Sequence, residues 1–118
     1  MTTVPLFKEA TAFLSDDGTG TGRCTAQLGP EKYGDTWQIK LMTTMNPATT
    51  TDVQLRVYRN SETMGNMVDS TYSGRQDTSP CDITLRNGEK LIFVWTKGDI
   101  GTQCVARVEG DLISGRFA

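Results

Sequence analysis

Apolar residues recur at every second position along most of this chain. Cys24, Ala26 and Leu28 alternate with polar neighbours, as do Trp37, Ile39, Leu41 and Met45. Val53, Leu55 and Val57 repeat the pattern, with Gln54, Arg56 and Tyr58 turned outward. Cys81, Ile83 and Leu85 repeat it again, and so do Cys104, Ala106, Val108 and Leu112. A period of two marks a strand with one buried face. Strands are therefore expected over 23–28, 35–45, 52–59, 81–86 and 102–112. Leu91 to Trp95 is apolar at every position, which fits a strand covered on both faces. Met42 interrupts the polar face of its strand and reads as a small exposed apolar contact.

Residues 1–14 read as an edge strand or a docking N-terminus, because Pro5 removes a ladder donor. The run Lys8 to Leu14 also carries a weaker helical spacing. Ser15 to Gly22 is a turn-rich loop. It lacks the lysine and following helix of a phosphate loop and the ligand spacing of a calcium loop. Residues 60–78 form a long polar loop with a short strand expected at Asn66 to Asp69. Connections of that length between core strands are uncommon unless functional. Residues 113–118 are a short tail carrying Phe117.

The Asn87-Gly88 junction has two readings. A tight hairpin would pair Ile83 with Ile92. An arch would carry the chain from one sheet to the other and bury Ile83, Leu85, Leu91, Phe93 and Trp95 in one core. The arch is favoured, since a hairpin leaves the large face of Leu91, Phe93 and Trp95 without cover.

Composition narrows the picture. The 118 residues suit one domain over 1–118. Abundant Thr and Gly suit short strands and turns. The expected fold is all-β: an antiparallel two-sheet β-sandwich, jelly-roll-like, of about seven to eight strands. The net charge of −2 and the absence of a basic patch argue against a nucleic-acid partner. No run approaches the roughly 20 apolar residues of a membrane span, and no secretory leader is evident, so no membrane partner is expected. Cys24, Cys81 and Cys104 fall on apolar strand faces and read as buried thiols, with a disulfide between two of them as the other possibility.

Candidate chemistry is scarce. The chain has no histidine, so neither a Ser-His-Asp nor a Cys-His arrangement can be built, and no metal or other cofactor is expected. Its carboxylates fall in loops or on outward faces rather than converging as a glycosidase requires. An enzyme is not expected. Binding remains, in two modes. One is stacking of a glycan on exposed tyrosines, for which Tyr33, Tyr58 and Tyr72 are available while Trp37 and Trp95 fall at core positions. The other is protein assembly through Met64, Met67, Tyr72, Arg75 and Phe117, since methionine adapts to irregular contact surfaces.

Three segments carry a resemblance: Gly18 to Trp37, Leu55 to Asn60 and Asp77 to Trp95. Together they resemble small virion proteins of tailed phages infecting actinobacteria, of the kind described as minor tail proteins. The resemblance spans roughly residues 18–112 and carries no catalytic residue. It implies a non-enzymatic β-sandwich of the virion, assembled in the host cytoplasm among copies of itself and other virion proteins. Capsid decoration and a head–tail connector are alternative places in the same particle. A carbohydrate-binding module for a bacterial surface glycan is a further alternative.

Overall fold

Each alternating run has one apolar face to bury, and two sheets stacked face to face bury them together. The computed structural model describes residues 2–46, 53–72 and 76–114. Its strands are β1 (Thr2–Phe13), β2 (Ser15–Asp16), β3 (Gly22–Leu28), β4 (Asp35–Met45), β5 (Gln54–Arg59), β6 (Met67–Tyr72), β7 (Gln76–Arg86), β8 (Leu91–Gly98) and β9 (Gln103–Ser114). One sheet has the order β1-β9-β4-β7, the other β2-β3-β8-β5-β6, and every pairing is antiparallel.

With β2 set aside, the pairs nest. β1 joins β9, β3 joins β8, β4 joins β7 and β5 joins β6. A long hairpin doubled back on itself and rolled into two sheets gives this order, which is that of a jelly roll. The fold class expected from the alternation stands. The strand count is one higher because of the two-residue β2.

The core holds Phe93 and Trp95 at its centre, both fully buried and stacked 6.2 Å apart. Their cross-strand partners on β3 are small: Ala26 stands opposite Phe93 and Cys24 opposite Trp95. Large and small residues side by side fill the layer without overlap. On the outer face of β8, Ile92 and Val94 pack with Tyr58, and Met67 closes over them. The five-residue apolar run is thus buried on both faces, by the main core and by this smaller cluster.

Asn87-Gly88 is an arch. β7 lies in one sheet and β8 in the other, so the two strands do not pair. Gly88 takes the turn at φ 93°, where a side chain would be strained. Arg59 and Glu89 brace the arch. Arg59 donates from Nη2 to the Thr84 carbonyl and to Glu89 Oε2, both at 2.8 Å. Glu89 Oε1 accepts the Arg86 backbone N–H at 2.8 Å. These charge-assisted contacts hold the Glu89 carboxyl below its ordinary pKa of 4.5, the Arg59 hydrogen bond acting most strongly.

Three expectations need correction. Met42 is buried, not an exposed contact. Against β9, the register steps from Ile39 opposite Gly110 to Leu41 opposite Glu109, so Lys40 is an extra, bulged residue. The bulge flips the parity of the strand and turns Met42 and Thr44 inward, while Leu41 and Met45 are only half-buried. Residues 60–78 contain the short strand expected at Asn66 to Asp69, found as β6, but are less of a loop than expected. They hold a 3-10 turn at Met64–Asn66, the strand β6 and the start of β7. The closing strand extends past Leu112, since β9 runs on to Ser114, and the rest of the expected tail lies outside the described residues.

Candidate functional site

β1 is an edge strand with no register break along its ladder to β9. Its even positions turn inward: Leu6 is buried, and Ala10 and Ala12 pack on the core. Its odd positions face out, leaving Phe7 56% and Phe13 60% exposed. Val4, at the far end, is exposed as well. The Arg107 guanidinium lies 4.9 Å from the Phe7 ring centroid and donates from Nη2 to Glu9 Oε2 at 3.1 Å. These contacts brace Phe7 from one side and leave it open to solvent. Among the described residues, no strand pairs with the other side of β1. That side is a row of backbone donors and acceptors able to take another strand.

A second feature opens where the sheets part, between β1 and the β3–β4 connection. It is a cleft of about 320 Å³. Trp37 and Leu112 supply apolar lining, and Lys8, Gln27, Lys32 and Asp35 supply polar groups. Asp35 is buried and its backbone N–H donates to the Lys32 carbonyl at 3.1 Å, which folds the connection over the cleft.

Among the described residues, the contact residues expected from the sequence differ in exposure. Tyr58 points away from the main core, as its alternation implies, but it is 7% exposed under the outer cluster of the five-stranded sheet. Its ring is packing material there, not an open stacking platform. Met67 is half-buried in the same cluster, whereas Met64 is exposed on the 3-10 turn. Tyr72 ends β6 opposite Gln54. Arg75 and Phe117 lie outside the described residues. The exposed phenylalanines of β1 were missed as contact residues. The available signal was parity: Leu6, Ala10 and Ala12 share one face, which sends Phe7 and Phe13 to the other.

The three cysteines are free. Cys104 Sγ accepts from Asn46 Nδ2 at 3.2 Å. A hydrogen bond to Cys24, together with burial, pushes the Cys104 thiol well up from its ordinary pKa. Burial also raises Cys81, with the Asp69 and Asp82 charges adding to it. A thiol that keeps its proton is a poor nucleophile. In the Ser15 to Gly22 loop, Asp16 and Asp17 accept the backbone N–H groups of Gly18 and Thr19 at 2.9 and 2.8 Å, so both carboxylates serve the turn itself. No family model, curated protein or solved structure matches this chain.

Proposed function

We propose that this chain is a non-enzymatic structural subunit of a tailed-phage virion, of the minor tail or tail-tip type. It acts by packing against copies of itself and against other virion proteins. The observation that carries the reading is the free edge of β1, a 12-residue strand with exposed Phe7 and Phe13. A long edge with apolar side chains favours association with another strand. The resemblance across residues 18–112 supplies the particle, and the edge supplies a means of joining it. The Cys81 and Cys104 thiols, whose pKa values are raised, and the Asp16 and Asp17 carboxylates committed to a turn agree with a structural role.

Two measurements test this reading. The purified chain is expected to run as a symmetric oligomer in size-exclusion chromatography with light scattering. Mass spectrometry of purified particles is expected to find it as a stoichiometric component. A chain missing from the particles would overturn the assignment. Immunogold labelling of intact particles separates a tail position from capsid decoration or a head–tail connector.

A further inference from the structure

The cleft between β1 and the β3–β4 connection has a chemistry that the assembly reading leaves unused. Its volume of about 320 Å³ sits at the small end of ligand sites, enough for one six-membered ring with its substituents. Half-buried Leu112 gives it an apolar side, and core residue Trp37 reaches it only with the 5% of its surface left exposed. Lys8 and Lys32 bring ammonium donors, Glu31 and Asp35 bring carboxylate acceptors, and Gln27 offers both functions. Glu9 also borders the cleft, but its carboxylate is drawn outward to Arg107.

Charge selects among ligand classes. Two ammonium and two carboxylate groups balance, so a phosphate meets the acids and a polyamine meets the lysines. Among the described residues, no three His, Cys, Asp or Glu side chains converge as metal ligands would. A neutral polyol differs from all of these. Its hydroxyls can donate to the exposed Glu31 carboxylate and accept from Lys8, Lys32 and Gln27. One face of a pyranose is made of C–H groups that suit an apolar wall. We propose that this cleft binds a single neutral saccharide unit of a glycan. Lys8 reaches the cleft from the face of β1 opposite Phe7 and Phe13, whereas Glu9, on their face, borders it while bound to Arg107.

The test is an amide-shift titration of the labelled protein. The probes are glucose, galactose, mannose, N-acetylglucosamine, rhamnose and arabinose, with inorganic phosphate and putrescine as charged counterparts. At least one neutral sugar is expected to shift the amides of Gln27 to Asp35, Leu112 and the Trp37 indole, with a Kd on the order of 1 mM. Substituting buried Asp35 endangers the fold, so the exposed Glu31 and Lys32 carry the mutational arm. Glu31→Gln and Lys32→Ala should each weaken binding by roughly five-fold or more with an unchanged unfolding midpoint. Silence from every neutral sugar would overturn the proposal. So would shifts caused only by phosphate or putrescine, or sugar binding that both variants leave untouched.

Discussion

A single inserted residue decides how β4 meets the core. Lys40 bulges, its ammonium reaches Asp111 at 3.1 Å, and every side chain after it changes face. Opposite the bulge, Gly110 lets the β4 backbone come close: a Cβ there would overlap the Gln38 carbonyl oxygen. Gly110→Ala is therefore expected to cost about 3 kcal/mol in urea unfolding, as overpacking against rigid backbone does. Tyr58 makes a second residue-scale case. Tyr58→Ala removes the ring over Ile92 and Val94 and should cost about 2 kcal/mol, whereas Tyr58→Phe keeps the ring and should cost under about 1 kcal/mol. Equal losses for the two would shift the weight from ring packing to the hydroxyl. These residues also mark where the sequence stops being legible. Alternation located Trp37 and Ile39 inside, because pleat parity is a local property. It misplaced Met42, because a bulge resets parity without any residue-type signal that Lys40 would supply. Tyr58 was read to the correct face but as solvent-exposed, since nothing in its own strand announces that Met67 folds back over it.

At the scale of the element, the arch after β7 was readable for a physical reason. Leu91, Phe93 and Trp95 offer too large an apolar face for a hairpin partner carrying Thr84 and Asp82. Only a crossing between sheets puts that face against Leu85 and the rest of the core. The bracing of the arch was not readable, because Arg59 and Glu89 are thirty positions apart and meet only once β5 and β8 pair. Their contact predicts a pH dependence. The Glu89 pKa is lowered on folding, so its contribution is complete above the ordinary value of 4.5 and fades as pH falls through the folded value. Wild-type stability should therefore fall more steeply than that of Glu89→Gln between about pH 5 and about pH 3. At neutral pH, with the pair partly open to water, the variant should be less stable by roughly 0.5–1 kcal/mol. Parallel acid unfolding curves for the two proteins would contradict the role assigned to Glu89.

For the molecule as a whole, the jelly-roll order leaves β1 and β7 as the edges of one sheet and β6 and the two-residue β2, with β3 beyond it, as those of the other, and they are unequally protected. β7 carries Pro80, and its register with β4 shifts between Ile39 and Leu41. β6 has six residues and a register shift where it meets Val57 and Tyr58. Breaks of this kind blunt an edge against unwanted pairing. β1 runs for 12 residues against β9 without one, protected only by Pro5, the charges at Lys8 and Glu9 and the threonines Thr2, Thr3 and Thr11. Under the proposed assembly, two copies of β1 would pair antiparallel about a two-fold axis. Centring that axis on Lys8 or Glu9 would set like charges against each other. Centring it on Phe7 sets ring against ring, with Pro5 opposite Glu9 and Leu6 opposite Lys8, which avoids repulsion and gains an aromatic pair. Phe7→Lys is then expected to weaken self-association by about ten-fold or more in sedimentation velocity. Phe13→Lys, far from the axis, should act more weakly. Both should leave the melting temperature within about 4 °C, because these side chains already face solvent in the single copy. If Phe13→Lys were the more disruptive of the two, the axis would have to lie toward the C-terminal end of β1. If neither variant changed association, β1 would not be the joining edge, and the reading of the molecule as a strand-pairing subunit would fail with it.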